Sequence, residues 1–234
     1  MGVTRCAPCG RGRVWRGLCV SEFLPIIELS LGVSFAATAI ATAIGLPLGC
    51  ALAVIDFPGR RAVVVLANAF FGLPPVVVGL ILYLVLSRSG PLGFLGLLFT
   101  PSAMTIAQAI LATPIITALI HRASERAWSR YGDEFISDGA SRLQAIPQIL
   151  AIIRADIITA VLAGFGRTVS EVGAVILVGG NIRGVTRTMT TTIALQTSQG
   201  DLSLALALGA VLVGISISIS ASVFALAVRK QDRE

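Results

Sequence analysis

The sequence predicts an all-α membrane protein with five transmembrane helices, and three observations predict it. Just over half of the 234 residues are hydrophobic and only 13% are charged, against roughly a quarter in an average soluble domain. The charges leave long gaps: no Asp, Glu, Lys or Arg lies between Glu28 and Asp56, between Arg61 and Arg88, between Arg88 and His121, or between Asp201 and Arg229. Each gap exceeds about 20 residues, the length an α-helix needs to cross a hydrocarbon core, and a helix satisfies its own backbone groups there. Finally, the basic residues fall in the links. Ten lie in 57–61, 121–154 and 229–234, and four at 88 and in 167–187, so the first set is expected on the cytoplasmic side.

The net charge of +6 does not indicate nucleic-acid binding. There is one lysine, Lys230, and no basic stripe with interleaved aromatics. Residues 1–24 read as a tail outside the fold, whose four arginines oppose an external N-terminus and suggest an over-extended start. Its Cys6-x-x-Cys9 has neither the further ligands of a metal site nor a redox context. No metal, cofactor or catalytic residue is expected.

The first span covers about 29–55 and carries Gly45-Leu-Pro-Leu-Gly49, a small-xxx-small spacing that permits close helix contact. The second, 62–86, contains Gly72-Leu-Pro-Pro75, which should kink or unwind it because each proline removes a helix hydrogen bond. The third, 100–120, has a mild break at Pro114. The polar stretch 121–154 follows, with a short helix over 133–146 ended by Pro147. The fourth span is expected over 148–167 and the fifth over 202–228. An odd number of spans puts the N-terminus outside and the C-terminus in the cytoplasm.

Segment 148–201 carries the most chemistry. Arg167 and Glu171 are four apart and share a helix face. Charges at that depth usually face a bundle interior or a wet cavity, so with Ser170 they are expected to line or gate the translocation pathway; a helix-bracing ion pair is the alternative. The apolar run 172–178 is too short to span and must continue past the membrane or bend back onto protein. Beyond it, Asn181, Arg183, Arg187 and Thr190 form a candidate outer mouth. Arginine offers a planar fork suited to oxyanions, while a solvated loop that closes the bundle is the plainer reading.

Several segments together resemble the permease subunits of molybdate- and tungstate-type ABC importers, tungstate permeases above all. They are Phe57-Pro-Gly-Arg-Arg61, Gly72-Leu-Pro-Pro-Val-Val-Val-Gly79, Ser87-Arg-Ser-Gly-Pro-Leu-Gly-Phe-Leu-Gly-Leu-Leu98, Gly139-Ala-Ser-Arg-Leu-Gln144, Gly164-Phe-Gly-Arg-Thr-Val-Ser-Glu-Val-Gly-Ala174, Val178-Gly-Gly-Asn-Ile-Arg-Gly184 and Thr191-Thr-Ile-Ala-Leu195 with Gly200-Asp201. The resemblance implies one type I ABC importer transmembrane domain over 25–230 and a cytoplasmic tail over 231–234. It further implies a homodimer in the cell membrane, two copies of an ABC ATPase subunit inside, and an extracytoplasmic substrate-binding protein outside. The implied cargo is an oxyanion, tungstate first, with molybdate or another oxyanion as the alternative and an ion-coupled secondary carrier as a weaker one.

The family's cytoplasmic loop begins with a Glu-Ala-Ala signature followed by a glycine. Here Asp133, Glu134 and Phe135 stand for those three residues, and Gly139 is in place. The Leu-Pro that closes the family pattern is missing, because Leu150-Ala-Ile152 stands there. Asp133, Glu134, Phe135, Gly139, Ala140 and Ser141 are accordingly expected to couple to the ATPase, with Phe135 and Ile136 as apolar anchor. The chain carries no Gly-x-x-x-x-Gly-Lys-Ser/Thr loop, so ATP hydrolysis would belong to a separate partner and the chain is no enzyme.

Overall fold

A computed structural model describes residues 20–231, with side chains from 24 to 221. The tail cysteines Cys6, Cys9 and Cys19 therefore lie outside the side chains described, as do the last three residues. Nine α-helices make up the described fold: α1 (Val20–Val54), α2 (Arg60–Phe70), α3 (Pro75–Leu86), α4 (Pro101–Ser137), α5 (Ile146–Ile152), α6 (Arg154–Val169), α7 (Gly173–Gly179), α8 (Met189–Gln199) and α9 (Leu202–Gln231). No strand occurs among the described residues. Three stretches are long and apolar enough to cross a membrane alone: Leu24–Val54, Pro101–Ser137 and Leu202–Ala221. Two bent pairs bring the crossings to as many as five.

The α1–α4 pair is the spine. Both glycines of the small-xxx-small spacing face α4. A methyl group at Gly49 would lie 2.7 Å from the Thr117 carbonyl oxygen, and one at Gly45 would meet Ile116 at 3.1 Å. Ile116 also presses on Gly164 of α6, where an added methyl would stand 2.7 Å from its side chain. One isoleucine thus fills the hollow left by glycines on two other helices. Such close backbone approach drives association where lipid offers no hydrophobic incentive.

Two apolar clusters sit along this spine. One joins the C-terminal half of α1 (Cys50, Ala53, Val54) to Ile116, Ile120, Ala123, Ile149 and Ile153. The other joins Val33, Met104, Ala107 and Leu111 to Val78, Ala174, Val175 and Val178. They mark opposite ends of the bundle, called here the α5 end and the α7 end.

Several expected boundaries move. The span expected over 62–86 is broken outright, with α2 and α3 meeting at 102°. Pro74 is extended (φ −65°, ψ 119°) and Pro75 opens α3; two adjacent prolines remove two donors and bar helix from the residues before them. The span expected from 148 turns by 75° before α6 begins, because Ile149 and Ile153 of the α5 segment are drawn into the cluster at that end. Arg154–Val169 is then the straight part, about 24 Å long, with Asp156 in its first turn and Arg167 in its last, both favourable to the helix dipole.

Pro114 makes no break, and α4 does not stop at 120. It runs 37 residues, about 55 Å. The portion beyond His121 carries the helix's charges and adds about 24 Å to its length, with Ala123 and Ala127 still in the apolar cluster. The expected separate helix over 133–146 does not form: 133–137 are the last turn of α4, and Pro147 sits in the first turn of α5 rather than ending a helix. α8 was not anticipated as a helix.

Candidate functional site

The α5 end carries the candidate coupling loop. Its geometry begins with Gly139, which adopts φ +82°, a left-handed conformation that costs other residues about 1–2 kcal/mol. The Ala140 N–H donates to the Phe135 carbonyl (2.9 Å) and the Gly139 N–H to that of Ile136 (3.0 Å), which is the Schellman arrangement that closes a helix. The chain then turns on a reciprocal pair. The Ser141 N–H donates to Gln144 Oε1 (2.8 Å), and the Gln144 N–H to Ser141 Oγ (3.4 Å). Gly139→Val is expected to cost at least about 1 kcal/mol and unseat this loop, read as lower thermal stability in detergent and faster proteolysis at 137–145.

Asp133, Glu134, Gly139 and Ser141 are exposed and Ala140 is half-buried. Phe135 differs from expectation: it packs against the protein's own apolar cluster. The apolar surface of the loop belongs to Ile136 and Leu143, 50% and 65% exposed. Leu143 was missed by sequence reasoning, though an isolated leucine in a polar stretch was the available signal.

Arg142 was missed as well. Its Nη1 donates to the Val54 carbonyl (3.1 Å) and to Asp56, and its guanidinium lies 5.7 Å from the Trp128 ring centroid. The hydrogen bond and charge of Arg142 hold the Asp56 carboxyl below its ordinary value of 3.8, with Arg60 adding to the effect. This contact is complete above that ordinary value and weakens only as pH falls through the lowered one. Asp56 is ionised throughout the neutral range.

At the α7 end, the run 172–178 bends back as α7, with Ala174, Val175 and Val178 buried. Gly79 of α3 admits it, since a methyl there would stand 2.7 Å from Ala174 Cα. Arg167 and Glu171 pair as their spacing predicts, Nη1 to Oε2 at 3.3 Å. Glu171 is only 3% exposed. Its other oxygen accepts the Ala174 N–H (3.1 Å), and its carbonyl accepts the Thr190 hydroxyl (3.0 Å). One residue therefore ties the end of α6 to the starts of α7 and α8. Ser170 is exposed and spends its hydroxyl on the Gly166 carbonyl (2.8 Å).

The threonines of 186–192 do not form a solvated anion cradle. Thr186, Thr188, Thr190, Thr191 and Thr192 are buried and hydrogen-bonded within the fold. Thr188 and Thr191 form a capping box that starts α8, and Thr191 donates to Asn181 Oδ1 (3.0 Å). Asn181 holds a left-handed turn (φ 50°) and accepts at its carbonyl from Arg187 Nη2 (3.4 Å). Asn181 and Thr190 thus serve the loop's own structure. Arg183 and Arg187 instead border an open cavity of about 520 Å³, with Thr192, Gln196 and apolar walls from Pro25, Ile26 and Leu204.

No protein-family model matches the chain. It is 43% identical over 176 residues to the tungstate uptake system permease protein TupB of Peptoclostridium acidaminophilum, covering 75% of this chain and 77% of the relative. The chain belongs to the ABC transporter permeases. Less similar permeases carry other names: the molybdenum transport system permease protein ModB of Azotobacter vinelandii is 30% identical (73% and 79% covered), and the sulfate transport system permease protein CysW of Escherichia coli is 27% identical (78% and 65%). As a permease the chain is a multi-pass membrane protein, and its helical architecture agrees with that class. Among the described residues no group of His, Cys, Asp or Glu could hold a metal ion.

Proposed function

We propose that this permease is the pore-forming subunit of an ATP-driven tungstate importer. The observation that carries this reading is the 43% identity to a tungstate uptake permease over three-quarters of the chain. The molybdenum and sulfate permeases are more distant, which ranks tungstate ahead of other oxyanions. In this reading the domain of 25–230 forms a homodimer that works with two copies of a separate ATPase subunit and an extracytoplasmic binding protein. The α5 end faces the cytoplasm, in keeping with the excess of arginine there. The N-terminus is then outside and the C-terminus, with residues 231–234, inside.

The geometry supports a division of labour. α4 carries Asp133, Glu134, Ile136 and the turn at Gly139–Ser141 beyond the apolar zone, where an ATPase groove can receive an exposed rigid knob. Phe135 anchors that knob to the bundle from within. At the outer end, Arg183 and Arg187 supply positive charge to an arriving dianion. Arg167 and Ser170 border the route between, with the buried Glu171 holding Arg167 in place. An unpaired ion in hydrocarbon is very costly, so the route is protein-lined and wet. ATP binding by the partner moves the knobs and opens the pore outward, and hydrolysis resets it.

Reconstitution in liposomes with the ATPase and the tungstate-loaded binding protein tests this. ATP-dependent tungstate uptake is expected, with molybdate a weaker cargo. ATP-dependent uptake of a different oxyanion alone would overturn the substrate, and uptake driven by a pH gradient without the ATPase would replace the importer by a secondary carrier.

A further inference from the structure

The end of α1 is closed in an unusual way. A helix leaves its last four carbonyls without partners inside the helix. In α1 these belong to Ala51, Leu52, Ala53 and Val54. The Ile55 N–H donates to the Ala51 carbonyl (2.9 Å). Arg60 takes the next two, Nε to Leu52 (2.6 Å) and Nη2 to Ala53 (3.2 Å). Arg142, from the loop after α4, takes the Val54 carbonyl (3.1 Å). Asp56 lies between the two guanidiniums, its Oδ1 3.1 Å from Arg60 and its Oδ2 on Arg142. Arg60 also reaches Glu125 of α4 (3.5 Å), and Arg142 lies against Trp128 of α4.

We propose that Asp56, Arg60 and Arg142 form a clamp that ties the coupling loop to the end of α1, and that the motor's displacement of the loop reaches the bundle through it. The inference rests on the reading of 133–141 as the coupling element and adds positioning residues just beyond it. Arg142 is the next residue in the chain, so the loop cannot shift without drawing on the Val54 carbonyl. α1 is in turn locked to α4 through Gly45 and Gly49. Loop, α1 and α4 therefore move as one body while the clamp holds. Without it, the loop keeps only its backbone links to α4 and α5 and the apolar packing of Phe135 and Ala145, with no polar tie to the end of α1.

The clamp is solvent-accessible: the Asp56 side chain is 62% exposed and that of Arg142 44%. Exposed ion pairs contribute little to folding, whereas charge-assisted hydrogen bonds to backbone set geometry. Its loss should show in coupling before it shows in folding.

The test compares wild type with Asp56→Asn, Arg142→Gln and Asp56→Glu in reconstituted complexes with the ATPase and binding protein. Tungstate taken up per ATP hydrolysed is measured, together with thermal stability. Glu134→Cys, in a background whose four native cysteines are replaced by serine or alanine, is also cross-linked to the ATPase. Asp56→Asn and Arg142→Gln are expected to lower uptake per ATP roughly tenfold, the scale of one charged hydrogen bond, with melting temperature nearly unchanged. The double variant should be no worse than either alone, and Asp56→Glu should retain most of the coupling. An unchanged ratio in both single variants overturns the clamp while cross-linking leaves the coupling loop standing. Failure of both variants to assemble also overturns it, because the network would then be structural. Absence of the cross-link from Glu134→Cys with the clamp residues intact removes the coupling-loop reading itself.

Discussion

Replacing Glu171 with alanine is expected to destabilise the permease by about 3 kcal/mol and to abolish transport. The carboxylate is almost fully buried and has two assigned partners, Arg167 and the Ala174 N–H. Removing one member of a buried pair strands the other charge, at a cost of about 3–5 kcal/mol. The lower end applies because the Arg167 side chain remains 30% exposed. Alanine also leaves the N–H at the start of α7 without its acceptor. Glu171→Gln keeps an oxygen for that N–H and should lose less, about 1–2 kcal/mol. The ordering is read by thermal unfolding in detergent and by uptake in liposomes. If alanine and glutamine variants unfold together with wild type, Glu171 is not the knot that joins α6, α7 and α8.

The second large effect is expected at Gly49. A side chain there meets the Thr117 carbonyl oxygen at 2.7 Å and Ile120 at 2.9 Å. The first neighbour is backbone and cannot rotate away. Gly49→Leu must therefore part α1 from α4, at a cost of roughly 3 kcal/mol or more, above the usual range for overpacking. Gly49→Ala should be milder yet measurable. By contrast, Gly32 and Gly166 have open space around them, and alanine at either should leave stability nearly unchanged. Yield of folded protein and melting temperature across these four variants check the contrast. Equal tolerance at Gly49 and Gly32 would contradict the close α1–α4 contact.

Much of this was readable beforehand, for identifiable reasons. Charge-free stretches mark lipid-exposed or buried helices because ionised groups are so costly in hydrocarbon, and α1, the first part of α4, and α9 fall where those gaps lie. The small-xxx-small spacing marked a close contact, and it is one. The Arg167–Glu171 pair was anticipated from its four-residue spacing, although Glu171 lies just past the end of α6, whereas Gly139, placed inside an expected helix, instead ends α4 in a left-handed conformation. Other features misled. Polar composition after His121 suggested that the helix stops, yet helical hydrogen bonding does not require an apolar environment, and α4 continues to Ser137. Thr190 was expected at an outer mouth, yet its hydroxyl satisfies the buried Glu171 carbonyl instead.

The sequence by itself determined the solvent and the class of this protein: a helical bundle in lipid, resembling ABC permeases, with its basic residues gathered in the links. Those follow from composition and local spacing, which the chain carries residue by residue. Only the tertiary structure decided which polar groups are spent inside the fold and which remain to meet a partner. Arg142 of the loop meets Val54 across 88 residues of chain, and Thr190 meets Glu171 across a turn that no local pattern specifies. Such pairings depend on how whole helices pack, and a hydrogen-bond donor carries no mark of its eventual acceptor.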